Sequence, residues 1–273
     1  VERQCGQGNS DDPIALEAFE HTGAMLGFAV MMTAIIGLAD VTDSLMAIRK
    51  LVYDEKKISF ADLKRAVSTN FDSDPALYAM VTRKVPLFGS GNDEAVGLAN
   101  RIASWAHNYY GSLPHYRGGK YTTGFWSMSN HVAFGTLTGA LPSGRRAGKP
   151  FTPGLTPQPS ASKNLLDNIR DVARLDPVNM NNNIAFNVKV IPAAGDPQKK
   201  IVEDMYSYAK TYFDLGGMQM QMNVVTSDIL RDAMAYPENY RNLLVRISGY
   251  NAYFVTLNRD MQRELIERAE YGM

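Results

Sequence analysis

Arg246-Ile247-Ser248-Gly249-Tyr250-Asn251-Ala252-Tyr253-Phe254 sets one glycine among apolar and aromatic residues near the end of a 273-residue chain. Glycine reaches positive φ without strain, so a tight turn is the ordinary reading of Gly249. The segments around it decide what fold carries that turn. Upstream, the chain breaks at Gly216-Gly217 and runs Met218-Gln219-Met220-Gln221-Met222-Asn223-Val224-Val225. Methionines alternate with amides, as they would on the two faces of a strand. Before it, the stretch 201–213 lines up Ile201, Met205, Tyr208 and Tyr212 on one helical stripe. Earlier still, residues 183–190 partly alternate like a half-buried strand. Strand, helix, strand over so short a span is a βαβ unit, whose two strands run parallel. A helix over Ser227–Ala235 precedes the glycine, and a closing helix near 260–271 follows it. The fold class is therefore α/β.

Toward the start of the chain, residues 43–52 read as an amphipathic helix with Asp43 as its N-cap. A second helix begins at Ser59, with Phe60, Leu63 and Val67 on one side. A third covers 96–110, with Leu98, Ile102 and Ala106 in register. The stretch 111–159 is rich in Gly, Pro, Ser and Thr and reads as loops and short strands. The run 23–39 has no charged residue and a single hydroxyl, at Thr33. It lies at the short edge of what spans a bilayer. Its glycines at 23, 27 and 37, and the Asp40 and Asp43 that follow, suit a buried wall of a protein interior better than lipid.

Lys and Arg total 28 and Asp and Glu total 28, with no basic block, so the electrostatic signature of nucleic-acid or anionic-membrane binding is missing. One cysteine excludes an intramolecular disulfide framework and a cysteine-rich metal or iron–sulfur site. Histidines scattered at 21, 107, 115 and 131 make no zinc pattern. No bound metal is expected, and a reducing compartment, the cytoplasm, is the default. The opening Val1-Glu2-Arg3-Gln4 carries no initiator Met and no signal-peptide pattern, and reads as a segment of something longer.

The stretch around Gly249 resembles the signature of the glycyl radical enzymes, roughly Arg-Val-(Ser/Ala)-Gly-Tyr-x-x-x-Phe. Arg246, Ser248, Gly249, Tyr250 and Phe254 fall on it, with Ile247 where Val is usual. Downstream, Gln262, Glu264, Ile266 and Arg268 are similar to the family's Gln-x-(Asp/Glu)-x-Ile-x-Arg-Thr helix, with Ala269 in place of Thr. Pro237-Glu238-Asn239-Tyr240-Arg241-Asn242-Leu243, the Gly216–Val225 strand and Leu141-Pro142-Ser143-Gly144-Arg145 resemble further family motifs in the right order. The resemblance implies part of a ten-stranded α/β barrel, the second parallel half-barrel, plus a C-terminal glycyl radical domain. Residues 1–150 would be the pyruvate formate-lyase-like barrel segment and 151–273 the radical domain.

The same resemblance makes Gly249 the radical-storage residue. A radical at its Cα delocalises over the flanking amide nitrogen and carbonyl, and the missing Cβ lets the centre become planar. The radical needs shelter from oxygen, which the apolar neighbours Ile247, Tyr250, Tyr253 and Phe254 are expected to give. No bound cofactor is implied, only a glycyl radical as a post-translational modification at Gly249. Implied partners are a radical S-adenosylmethionine activating enzyme, small accessory subunits and a second catalytic chain in a homodimer. The family's thiyl cysteine lies far upstream of the glycine. Cys5, in Arg3-Gln4-Cys5-Gly6-Gln7-Gly8, does not match its loop, so the thiyl residue is expected outside this chain.

For the reaction, two departures from the family pattern matter. Where lyases and dehydratases have Gly-x-Pro-Leu-Ala-Asp-Gly-x-Ser-Pro, this chain has Gly148-Lys149-Pro150-Phe151-Thr152-Pro153-Gly154-Leu155-Thr156-Pro157. Where a polar, glycine-rich stretch is common, it has Phe28-Ala29-Val30-Met31-Met32-Thr33-Ala34-Ile35-Ile36. A pocket of Met31, Thr33, Ile35, Trp126, Ser129 and His131 would be apolar, without a carboxylate for a polyol or amine, and would suit a hydrocarbon or aromatic substrate. That resembles the fumarate-adding X-succinate synthases of the alkylsuccinate and benzylsuccinate type, with an arylacetate decarboxylase or another glycyl radical lyase as the alternative. These residues equally make an ordinary core. His131, Gln219 and Gln221 either hold a dicarboxylate or serve as structural hydrogen-bonding groups.

Overall fold

The computed structural model describes residues 31–114, 118–192, 195, 197–268 and 270–272. Cys5 and the first part of the apolar run lie outside the described residues. The chain enters through strand β1 (Met31–Ala34), and Gly37, at φ +88°, turns it into helix α1 (Leu38–Ile48). The helix therefore starts upstream of the expected N-cap. Asp43 lies buried within it, and its Oδ1 accepts the Phe88 N–H at 2.8 Å. A π-helical turn over Arg49–Asp54 follows. Helix α2 (Phe60–Ser68) begins as predicted, Ser59 and Asp62 closing a capping box. Helix α3 (Pro75–Lys84) adds an element that apolar spacing did not predict. Asp74 caps it, and Pro75 sits in the first turn, where its missing N–H leaves nothing unpaired. The predicted helix over 96–110 lies inside α4 (Asp93–Ser112), capped by Asn92.

Within the stretch expected to be loop and short strand, β2 (Tyr121–Gly124) is the strand and α5 (Asn130–Thr136) is an added helix. Then come α6 (Leu165–Ala173), β3 (Phe186–Ile191), α7 (Gln198–Asp214), β4 (Met220–Asn223) and α8 (Ser227–Ala235). The last elements are β5 (Leu244–Arg246), β6 (Asn251–Tyr253), α9 (Arg259–Glu267) and β7 (Glu270–Gly272). The closing helix stops at Glu267 rather than reaching Tyr271. Tyr271 instead pairs with Val190 in a parallel strand, and its hydroxyl donates to Asn168 Oδ1 at 2.9 Å.

The βαβ unit forms as expected: β3 and β4 pair in parallel, with Asn187 opposite Gln221. β1 pairs in parallel with β2, and a parallel bridge between Phe125 and Ile184 links β2 to the chain entering β3. The fold is α/β. The described strands form sheets of two, three and two strands, so a ten-stranded barrel is not completed among the described residues. No described helix is long and apolar enough to cross a membrane. The described part of the apolar run is a short strand and the start of α1.

One large apolar cluster joins Leu38, Leu51, Phe88 and Phe125 to Phe186, Val190 and Tyr212, and so draws on both sides of residue 150. A smaller one lies under the C-terminal hairpin and contains Val132, Leu230, Val245, Ile247, Phe254 and Leu265. Each fully buried side chain of this size contributes about 1.5–3 kcal/mol. Gly154 marks where a loop meets the sheet. At φ +62°, an added Cβ would lie 2.2 Å from the Ala185 carbonyl oxygen, which accepts the Leu155 N–H at 2.8 Å. Gly154→Ala is expected to destabilise the protein by about 2–4 kcal/mol, from left-handed strain plus a backbone shift. Urea unfolding checks this, and a change below about 0.5 kcal/mol, the size of an ordinary surface substitution, would contradict it.

Candidate active site

Strands β5 and β6 pair antiparallel, Leu244 with Tyr253 and Arg246 with Asn251, and residues 247–250 close the hairpin. The Ile247 N–H donates to the Tyr250 carbonyl at 2.9 Å, and Gly249 takes φ +96°. Ile247, Ser248 and Phe254 turn inward and are fully buried. Gly249 itself is exposed, Tyr250 is half-buried, and Tyr253 is 49% exposed. The expected shelter by apolar neighbours is therefore corrected: Ile247 and Phe254 anchor the hairpin, and the glycine stands outside them. No heavy atom lies within 4 Å of where a Gly249 Cβ would be, so this side of its Cα is open to approach.

The amide face of β4 mounts the hairpin. Asn223 pairs with the Arg246 backbone, its Oδ1 accepting the N–H at 2.8 Å and its Nδ2 donating to the carbonyl at 2.7 Å. Gln221 Oε1 accepts the Gly249 N–H at 3.0 Å and Arg246 Nε at 2.5 Å. Gln219 is occupied elsewhere, accepting the Phe186 N–H at 3.2 Å. Both glutamines thus serve the fold's own backbone, the structural option of the two that the sequence left open.

Beneath the hairpin lies a buried polar network. Arg268 grips Glu264 in a fork, at 2.8 and 2.9 Å, and its third nitrogen donates to the Ile247 carbonyl at 2.9 Å. His131 places Nε2 3.4 Å from Glu264 Oε1 and Nδ1 3.0 Å from the Ser127 hydroxyl. The Ser248 hydroxyl lies 3.4 Å from Ser127 Oγ and 3.5 Å from Asn187 Nδ2. Burial pushes the Glu264 pKa up, but Arg268 and His131 more than offset this and hold it at about 2. Lys189, on β3, is buried and donates to Ser227 Oγ and to the Leu265 and Ile266 carbonyls, capping the C-terminal end of α9. Burial lowers its pKa to about 8.

The loop leading to this region is folded around Arg145. Its guanidinium donates to the carbonyls of Gly135, Gly139, Lys149 and Pro150 and lies 4.5 Å from the centre of the Phe151 ring. Thr152, one of the departures from the family pattern, binds Asp40, whose Oδ2 accepts both its N–H and its hydroxyl at 2.8 and 2.7 Å.

The six residues of the proposed pocket are not brought together as one lining. Met31 and Thr33 pair with Tyr121 and Thr123 across β1 and β2. Ile35 packs half-buried against the large core, while Trp126 and Ser129 are half-buried between β2 and α5. His131 is wholly buried, its Nδ1 paired with the Ser127 hydroxyl and its Nε2 3.4 Å from Glu264 Oε1. A cavity of about 260 Å³ lies instead beside the 144–159 loop, with Arg145, Phe151, Asn187, Lys189 and Arg268 in its wall and none of those six residues. The residues that hold the glycine, Gln221, Asn223, Glu264 and Arg268, carry a signal in the sequence. The amides alternate on one strand face, and Glu264 and Arg268 stand four apart on one helix face.

Two family models match this chain: pyruvate formate lyase-like over residues 10–135, and glycine radical over residues 151–255, which includes the hairpin. This chain belongs to the glycyl radical enzyme family. The family's reactive group is a glycyl radical formed by modification of the chain itself. Trans-4-hydroxy-L-proline dehydratase of Clostridioides difficile is 30% identical over 236 residues, covering 86% of this chain and 30% of the relative. Indoleacetate decarboxylase of Tractidigestivibacter scatoligenes is 32% identical over 261 residues, covering 86% of this chain and 29% of the relative. Among solved structures, the glycerol-bound B12-independent glycerol dehydratase from Clostridium butyricum superposes with a TM-score of 0.84 at 32% identity, covering 89% of this chain and 31% of that one. The chain thus spans about a third of the length of the relatives it matches. The fumarate-adding subgroup finds no support among them, since they are dehydratases and a decarboxylase.

Proposed function

We propose that this chain is the radical-bearing portion of a glycyl radical lyase, one that removes a group from a small organic substrate rather than joining a hydrocarbon to fumarate. The observation that carries the reading is the Gly249 turn. Its Cα is open on one side, its N–H is held by Gln221, and it belongs to a hairpin fixed from below by Arg268. A radical S-adenosylmethionine activase removes one hydrogen atom from the Gly249 Cα, and a thiyl cysteine outside this chain relays the radical to substrate. The mounted hairpin keeps the glycine in one place through both events. The region 1–150 supplies part of a barrel wall and 151–273 the radical domain. That division is one of role, because the apolar core runs across it. The rest of the ten-stranded barrel, in one subunit of a homodimer, would shelter the exposed glycine.

Among lyases, an arylacetate decarboxylase agrees best with the apolar segment around Met31 and Ile35 and with the decarboxylase relative. The test is anaerobic activation of the intact protein that carries this chain. A glycyl doublet in electron paramagnetic resonance is expected, with backbone cleavage at Ser248–Gly249 on exposure to oxygen. Offered indoleacetate, glycerol, trans-4-hydroxyproline, or toluene with fumarate, the activated protein should consume one of the first three. Conversion of toluene and fumarate to a substituted succinate would overturn the lyase reading in favour of addition.

A further inference from the structure

We infer that Gln221 is a positioning residue for the glycyl radical, its carboxamide oxygen holding the N–H of the residue that carries the unpaired electron. The inference rests on Gly249 being the storage site. Two donors, the Gly249 N–H at 3.0 Å and Arg246 Nε at 2.5 Å, converge on the one atom, Gln221 Oε1. A carboxamide flipped end for end would present its NH2 to two donors, so this arrangement fixes which end is oxygen. Arg246 is itself tied into the hairpin. Its backbone is paired on both sides by Asn223, and its guanidinium reaches Asn251 Oδ1 at 3.2 Å across the hairpin. Gln221 is buried on β4.

The consequence is electronic as well as mechanical. The unpaired electron at Cα is stabilised by conjugation with the amide nitrogen, and this depends on the orientation of the Ser248–Gly249 peptide plane. An acceptor on the N–H holds that plane and leaves more electron density on nitrogen. The other hairpin contacts, Asn223 to Arg246 and Arg268 to Ile247, fix neighbouring peptides. Only Gln221 among the described side chains is seen to bind Gly249.

The experiment uses the intact protein, activated anaerobically, as wild type, Gln221→Met and Gln221→Glu. Methionine keeps the length and removes the acceptor, whereas glutamate keeps an acceptor facing Arg246. Expected for Gln221→Met is a glycyl doublet that decays about fivefold to tenfold faster without oxygen, the weight of one lost hydrogen bond. Its exchangeable N–H coupling in electron–nuclear double resonance should shift from the wild-type value. Gln221→Glu, which keeps an acceptor on the N–H, should retain the wild-type lifetime. A Gln221→Met radical with unchanged coupling and lifetime would overturn the inference. Should that variant not fold, wild type in D2O decides alone: a reduced N–D quadrupole coupling shows the hydrogen bond, and a free-amide value refutes it. If activated wild type gives no doublet at all, the assignment of Gly249 falls, and this inference with it.

Discussion

Gly249→Ala is expected to leave a folded protein that forms no glycyl radical and turns over no substrate. The structure separates these two effects. A Cβ at this position meets no heavy atom within 4 Å, so nothing is displaced. The backbone is at φ +96°, where an L side chain costs about 1–2 kcal/mol. That is a modest loss against the stability of a domain. The catalytic loss has a different origin, because a methyl group on the radical carbon crowds the flanking peptides out of the plane that delocalises the electron. Thermal unfolding should move by a few degrees, while the resonance doublet and product formation fall to background. An alanine variant that still turns over would refute radical storage at this position.

Arg268→Met is expected to produce the largest loss of stability short of core deletion, about 3–5 kcal/mol, since it leaves a buried carboxylate without its partner. Glu264 is buried, gripped by Arg268 and approached by His131. Its pKa, 4.5 ordinarily, is held at about 2. Because the folded value lies below the unfolded one, the pair stabilises the protein above pH 4.5, and that contribution drains away as the pH falls toward 2. Its full size is about 3 kcal/mol by linkage. Urea unfolding across pH 3–7 should therefore show a steep acid limb in wild type, flattened in Glu264→Gln. The double variant Glu264→Gln, Arg268→Met should recover part of what Arg268→Met loses, since no charge is stranded. Equal stability of Arg268→Met and wild type at pH 7 would show that the pair does not hold the hairpin. The Ile247 carbonyl accepts from the same guanidinium, so the arginine variant should also lower the yield of radical per activated chain.

Much of the secondary structure was legible where apolar periodicity is strong, as in α4, α7 and the strands β3 and β4. Helix α3 was not, because its evidence lies in the cap Asp74 rather than in a marked stripe, whereas the stripe of Leu165, Ile169 and Val172 in the nine-residue α6 is short and was passed over. Asp43 misled for the opposite reason. It is a residue type that caps helices, yet here it is buried in mid-helix and serves the Phe88 N–H of a distant loop. Similarly, nothing local distinguishes a Tyr271 that ends a helix from one that lies in a strand. The open edge of β3 decided it.

The sequence by itself pointed to the family and singled out Gly249 as its candidate radical glycine, because a glycine among Arg246, Ser248, Tyr250 and Phe254 is a local pattern readable without a fold. It also determined the alternation of Gln221 and Asn223 on one strand face, which follows from a two-residue period. Only the tertiary structure decided what those residues do. Gln221 is far from Gly249 along the chain, and a hydrogen bond between them exists only once β4 lies beneath the hairpin. The same holds for His131 and Glu264, which the sequence offers as a pocket residue and a family motif. Packing of α5 against α9 brings them into one buried network, in which Arg268 supplies the counter-charge that a buried carboxylate requires.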